Sequence, residues 1–330
     1  MFKTIMSKSL TNSITIKGAT TIAVLTVLTG CQTLPAMLGK MPTNTINTNP
    51  LTAQMSVLDR QGHIAYVEEQ GVGAAKISTL YSIRPDGSDR QLIDQLNGYL
   101  YAPAWSADGQ MLAYSKQAAR EHPKIYIYDR KSNARRLIIN AEGSNLSASF
   151  SPDGQKLLYS STVGGNADIY EMRLSDGSTK QLTTLPSTEV QPSYAADGKS
   201  FVYTSDKVRA GRPSIYRYSF ATGNAVPIST GSYAASPQLS ADGQRMAYLS
   251  GRKAAVMTLA TGQIINLAET GLDEPARLSP SGQYAIYPTR TSKVSGQSGG
   301  SLVIHSLSGS TSYAISSQAG GVVRSPVWGR

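Results

Sequence analysis

Three observations predict an all-β fold, specifically a six-bladed β-propeller whose C-terminal strand closes the first blade. Thirty glycines and eighteen tyrosines stand against four phenylalanines, a motif recurs every 39–47 residues, and a fragment of one more copy ends the chain. Tyrosine suits half-buried pleated surfaces and glycine suits tight turns, so the composition reads as many short strands. A period near 45 residues matches one four-stranded blade.

The clearest copy runs Pro103-Ala104-Trp105-Ser106-Ala107-Asp108-Gly109 and leads to Tyr114. Further copies reach Gly154 and Tyr159, Gly198 and Tyr203, Gly243 and Tyr248, and Gly282 and Tyr287, with a degenerate copy at Gly62 and Tyr66. Runs such as Lys124-Ile125-Tyr126-Ile127-Tyr128 alternate with the strand period and exclude helical repeats of similar length. Each unit therefore reads as four strands. The first ends at S-x-D-G, the second ends in the recurring tyrosine, the third carries the Ile-Tyr run, and the fourth is an outer strand beyond turns such as Asp176-Gly177. Ser325-Pro326-Val327-Trp328 begins a seventh copy, and Trp328 corresponds to Trp105. This tail is expected to serve as the innermost strand of the first blade, so that few sheet edges stay exposed.

The N-terminal region predicts a different role. Residues 1–21 hold Lys3, Lys8 and Lys17 with no acid, and a short apolar run follows to Gly30. About ten apolar residues are too few to span ~30 Å of hydrocarbon, but they match the core of a secretory signal. Leu28-Thr29-Gly30-Cys31 resembles a bacterial lipobox and accounts for the single cysteine of the chain. The expected organisation is a lipoprotein signal peptide over 1–30, a lipidated Cys31 (palmitate or a similar acyl group) with a flexible Thr/Asn/Pro-rich tether over 31–54, and the propeller over 55–330. Gln32 is not the aspartate associated with inner-membrane retention, which favours the periplasmic side of the outer membrane of a Gram-negative bacterium.

Catalytic and metal chemistry find little support. One cysteine excludes a disulfide scaffold and a thiolate metal site, and His63, His122 and His305 lack ligand spacing, so neither metal nor cofactor is expected. Gly296-Gln297-Ser298-Gly299-Gly300 fits G-x-S-x-G but sits in a Ser/Gly-rich hairpin loop rather than on a strand-to-helix elbow. The net charge of +10 includes a basic run, Arg130, Lys131, Arg135 and Arg136, with Arg120 and Lys124 nearby. It reads as edge-strand protection, with contact to lipid A or an acidic partner as the sharper alternative. Nucleic acid is not expected outside the cytoplasm.

Beyond the generic repeat, Thr204-Ser205-Asp206 with Gly211-Arg212-Pro213-Ser214-Ile215-Tyr216, Leu272-Asp273-Glu274 before Pro275, and the closing Pro326-Val327-Trp328 resemble the propeller of the TolB family over about 55–330. The resemblance implies a non-enzymatic, protein-binding scaffold of the cell envelope related to the Tol-Pal system, with a Pal-like lipoprotein as partner. In the family that partner enters a mouth built from loops leading into the innermost strands. The corresponding residues are Ser144, Asn145, Glu189, Gln191, Tyr233, Asp273 and Glu274, with Ser144 where the family carries a histidine. The family's N-terminal domain and leading segment, which engage TolA, are replaced here by the lipobox and tether, so TolA binding is not expected. The alternative is a propeller that binds or hydrolyses an envelope glycan or peptide, for which Asp273 and Glu274 form the candidate acidic pair.

Overall fold

The S-x-D-G motif makes its own turn. In the copies at Ser106, Ser151 and Ser240, the serine Oγ donates to the aspartate two residues on at 2.5–2.6 Å and accepts the backbone N–H five residues on at 2.9 Å. The aspartate accepts a second backbone N–H, for example from Gln110 to Asp108 at 3.0 Å. The hydroxyl bond holds the Asp108 and Asp153 carboxyls below the usual range. The glycine sits at φ of +68° to +69°, a conformation that disfavours any Cβ.

The computed structural model describes residues 50–228, 230–231, 233–290, 299–317 and 320–330. The expected signal peptide, Cys31 and the tether up to residue 49 lie outside the described residues, as does Ser298 of the G-x-S-x-G match. Residues 50–54, read from sequence as the end of the tether, form helix α1 (Pro50–Gln54), and Leu51 is buried. Helix α2 (Val57–Gln61) follows.

Among the described residues there are 23 strands. They begin with β1 (His63–Gln70), β2 (Ile77–Ile83), β3 (Gln91–Trp105), β4 (Met111–Ala118), β5 (Lys124–Asp129) and β6 (Ala134–Ile139). Next come β7 (Asn145–Phe150), β8 (Lys156–Ser161), β9 (Asp168–Arg173), β10 (Thr179–Gln181), β11 (Glu189–Tyr194), β12 (Ser200–Ser205), β13 (Ser214–Ser219) and β14 (Ala225–Ile228). The remainder are β15 (Ala234–Leu239), β16 (Arg245–Ser250), β17 (Lys253–Thr258), β18 (Ile264–Glu269), β19 (Arg277–Leu278), β20 (Tyr284–Arg290), β21 (Gly300–Ser306), β22 (Ser312–Ser316) and β23 (Val322–Gly329). From β7 to β22 they pair antiparallel in four sheets of four. The first six strands and β23 form one run ordered β23-β1-β2-β3-β4-β5-β6.

That run is continuous because β3 serves two neighbours. Its residues 91–97 pair with β2 and its residues 98–105 pair with β4. Gly98 marks the change at φ +152°, where a Cβ would overlap the Gln117 carbonyl oxygen. The C-terminal strand β23 pairs with β1, opposing Trp328 to Ile64 and Val327 to Ala65.

The recurring tyrosines lie inside the second strands rather than at their ends. Tyr66, Tyr114, Tyr159 and Tyr203 oppose Tyr81, Tyr126, Tyr170 and Tyr216 on the third strands, with ring centroids 5.7–5.9 Å apart. Cross-strand aromatic pairs of this kind each contribute roughly 0.2–1 kcal/mol. The apolar clusters mix side chains from consecutive sheets, as where Leu158 and Ile169 meet Phe201, Tyr203 and Tyr216. The core is thus a series of layers between sheets.

The repeat breaks where the chain ends meet. Ser281 replaces the turn aspartate, and the carboxylate comes instead from buried Asp59 of α2, which accepts the Ser281 N–H at 3.0 Å and the Ser281 hydroxyl at 2.5 Å. Gly62 is not a turn glycine like its aligned counterparts. It caps α2 at φ −65°, and a Cβ there would come within 2.8 Å of Trp328 Nε1.

Candidate functional site

The innermost strands share a bulge. Ala102, Ser147, Gln191, Ser236 and Ser325 all adopt positive φ, between 43° and 58°, and strand register shifts at each. Such backbone costs a non-glycine residue about 1–3 kcal/mol and persists where surroundings over-determine it. Here the surroundings are the preceding sheet. The Gln191 N–H donates to Ser160 Oγ at 3.0 Å, Ser236 N–H to Thr204 Oγ1 at 2.9 Å and to Gln191 Oε1 at 3.0 Å, and Ser325 N–H to Glu274 Oε2 at 3.3 Å. Further along, Tyr194 N–H reaches Ser149 Oγ and Leu239 N–H reaches Ser193 Oγ. Equivalent positions of successive innermost strands are therefore adjacent, and their starting ends gather on one side of the sheets. Asn145 opposes Ser161 and Glu189 opposes Ser205, so the loops between second and third strands leave from this side too.

The sequence-predicted residues divide into two groups. Asn145 and Glu189 begin innermost strands but are buried, and their side chains hold the frame. Asn145 Nδ2 donates to the Ala141 and Gly143 carbonyls, and its Oδ1 accepts Ser161 Oγ at 2.8 Å. Glu189 Oε1 accepts Ser187 Oγ at 2.6 Å and Ser205 Oγ at 2.8 Å, while its carboxyl faces that of buried Asp168 across the two sheets. Burial pushes both carboxyls up, and Glu189 Oε2 is buried without a hydrogen-bond partner. Ser144 is half-buried and takes Thr162 Oγ1 as acceptor for its N–H. Gln191 is a bulge residue and a bridge between sheets.

Tyr233, Asp273 and Glu274 lie nearer the solvent. Tyr233 is half-buried, and burial, then the Asp273 charge, pushes its hydroxyl up. Asp273 is exposed at φ 53°. Its neighbour Glu274 is committed elsewhere.

Glu274 joins a charge ladder that sequence reasoning did not anticipate. Lys76 Nζ and Arg324 Nε both reach Glu69 Oε2 at 3.0 Å, and Arg324 Nη1 lies 3.5 Å from Glu274 Oε1. Burial pushes the Glu274 carboxyl up against the opposing pull of Arg324 and Arg277, and burial lowers Arg277 to about 10. Arg277 donates to the Ser236 carbonyl at 2.8 Å. The ladder crosses from β1 and β23 to the approach of β19, so it stitches the C-terminal strand to the last sheet. One signal was available for Arg277. Counted back from the turn serine, it occupies the slot of Ser149, Ser193 and Gln238, which all accept a backbone N–H from the next innermost strand. Beside Glu69, Tyr99 and Tyr101 stack with centroids 5.7 Å apart, Lys76 Nζ lies 4.6 Å over Tyr99, and Tyr101 donates to Gln117 at 2.9 Å.

Part of the basic run turns inward. Arg130 donates to His63 Nε2 at 2.7 Å and to the Gly109 carbonyl at 3.0 Å, and Arg135 lies over Tyr128 and donates to the Ile93 carbonyl. Burial, then Arg130, lowers His63 to about 4. Among the described residues no group of three His, Cys, Asp or Glu side chains could hold a metal ion. No described helix is long and apolar enough to cross a membrane.

Repeated four-stranded units whose innermost strands gather their starts beneath a set of loops define a propeller-type, all-β fold. The profile described as "TolB beta propeller domain" matches residues 49–330, and the chain belongs to this family. It is 29% identical over 259 residues to the Tol-Pal system protein TolB of Francisella tularensis subsp. mediasiatica (strain FSC147), covering 74% of this chain and 57% of that protein. The same protein of F. tularensis subsp. tularensis (strain SCHU S4 / Schu 4) matches to the same extent, so the chain spans 57% of the length of these curated relatives. The crystal structure of TolB from Acinetobacter baumannii superposes with a TM-score of 0.72 at 35% identity, over 82% of this chain and 67% of that one. A putative TolB from Agrobacterium tumefaciens, 18% identical with a TM-score of 0.58 over 78% of this chain and 90% of that one, shares the fold.

Proposed function

We propose that this protein is a non-enzymatic, protein-binding scaffold of the cell envelope. Its sheets act as six blades of a ring that β23 closes, and the gathered starts of the innermost strands form the mouth that receives a partner. The observation that carries the reading is the shared bulge at Ala102, Ser147, Gln191, Ser236 and Ser325, each inter-sheet hydrogen bond bracing the loops above it. Rigid strands beneath variable loops suit recognition. The Tol-Pal naming of its relatives supports a Pal-like lipoprotein as partner.

In this reading Tyr233 and Asp273 meet the partner, whereas Ser144, Asn145, Glu189, Gln191 and Glu274 keep the mouth in shape. Cys31 carries the lipid and holds the ring on the periplasmic side of the outer membrane. The test is titration of the full chain with purified Pal from the same organism. Binding weakened at least tenfold by Asp273→Arg and by Tyr233→Ala is expected, and no saturable binding refutes the partner. Radiolabelled palmitate incorporated by the wild type and not by Cys31→Ser tests the anchor.

A second reading, binding of an envelope glycan or peptide, has the stacked Tyr99–Tyr101 pair in its favour. Hydrolysis has less support, because Glu274 is bound to Arg324 rather than free beside Asp273.

A further inference from the structure

Three loops on the mouth side are tied into one platform. Asn166 Nδ2, from the loop over 162–167, donates to the Leu185 and Ser187 carbonyls at 2.6 and 2.7 Å. Asp206 accepts the Thr188 N–H at 3.0 Å through one carboxylate oxygen and the Gly211 N–H at 3.0 Å through the other. The loops over 162–167, 182–188 and 206–213 are thus held together by two side chains from neighbouring sheets. Each presents an apolar side chain to solvent, with Val208 81% exposed, Val163 47% and Leu185 39%.

The charge of this platform is one-sided. Lys207, Arg209 and Arg212 are exposed, while the only acid in the three loops, Asp206, is spent on backbone amides. Lys207 lies over the Tyr216 ring, and neither arginine side chain has an acidic partner among the described residues. Val208 stands among these three cations, while Val163 and Leu185 add exposed apolar side chains on the neighbouring loops. They fit a plane that is negative at its surface and apolar beneath, where each nearby Lys or Arg contributes about 1 kcal/mol and exposed apolar atoms are removed from water.

We infer that this three-loop platform docks on the surface of an anionic phospholipid bilayer, centred on Val208. The contact is separate from the partner reading of the mouth and does not require acylation of Cys31. It would restrict how the ring lies beside a membrane, turning this sector of the mouth rim toward the lipid.

The test is flotation of the full-length protein with vesicles of neutral phosphatidylcholine and with vesicles containing phosphatidylglycerol, at low and high salt. Any acyl anchor contributes equally to both compositions, so the ratio of partition constants reads the charge-dependent contact, and the substitutions separate the platform's share from that of the other surface cations. The wild type is expected to favour anionic vesicles, with the preference falling as salt rises. Lys207→Gln, Arg209→Gln and Arg212→Gln should each reduce the preference about fivefold, the equivalent of one charge at the surface. Val208→Asp should reduce it further, and equal thermal midpoints establish that the variants are folded. Equal partition of the wild type between the two compositions overturns the proposal, as does a preference that the four variants leave unchanged. Charge-dependent retention of an acidic envelope protein without any vesicle preference also overturns it, because the platform is then a protein-binding surface.

Discussion

The middle sheets and the seam where the chain ends meet solve one packing problem by different means. From β7 to β18 the turns are made locally, with Asp153 and Asp242 each answering the serine two residues before it, and tyrosine or aliphatic side chains fill the layer to the next sheet. At the seam the pieces come from distant positions. Asp59 answers Ser281, His63 accepts from Arg130, and the last residues lie against Gly62, Gly109 and Trp105. Local units tolerate local damage, whereas the seam concentrates long-range contacts that fail together.

The largest difference is expected at glycines. A Cβ at Gly329 would overlap the Trp105 ring, so Gly329→Val should cost about 3 kcal/mol or more. Gly177, at φ +71° with nothing within 4 Å of a Cβ, should cost only about 1–2 kcal/mol as Ala, from backbone strain alone. Urea unfolding of both variants measures the gap, and equal losses would remove the distinction between seam and middle.

Acid should reveal the seam next. The folded value of His63 lies below its ordinary 6.5, so its stabilisation is complete above pH 6.5 and is lost as pH falls towards 4. The loss should approach about 3 kcal/mol, since one pK unit corresponds to about 1.4 kcal/mol. His63→Gln, which offers an acceptor without titrating, should flatten the unfolding free energy between pH 7 and 4.

Asp59→Ala removes the buried carboxylate that accepts both the N–H and the hydroxyl of Ser281 and should cost about 2–3 kcal/mol. The matching Asp153→Ala, at an exposed turn, should cost about 1 kcal/mol. Thermal midpoints of the pair sharpen the contrast.

The smallest effect belongs to the middle and has the opposite pH sign. Asp168 and Glu189 titrate above their ordinary 3.8 and 4.5, so their stabilisation is present below those values and is lost as pH rises through the folded ones. Glu189→Gln removes the titrating carboxyl beside Asp168 while keeping an acceptor for Ser187 and Ser205, and should gain stability at neutral pH relative to pH 4. A gain that is the same at both pH values would show that Glu189 is not raised there.

What was legible in the sequence follows the same division. The S-x-D-G turns and recurring tyrosines could be read because their chemistry is complete within about 45 residues. Ser281 was visible as a departure, but its remedy lies 222 residues away in a short helix that precedes the first strand. The ladder of Glu69, Arg324 and Glu274 was hidden for the same reason, since charges far apart in sequence show no partnership until strand pairing is known. Glu189 and Asn145, expected in loops leading into the innermost strands, are the first residues of β11 and β7, and sequence position does not tell whether a polar side chain there faces solvent or a neighbouring sheet.

The proposed mouth is tested most directly by a photo-crosslinking amino acid placed at Asp273 on the loop side and at Gly177 on the opposite turns, in cells that produce Pal. Crosslinks to Pal from position 273 and none from 177 are predicted. Crosslinks from 177 with none from 273 would contradict the assignment of the partner to the gathered strand starts.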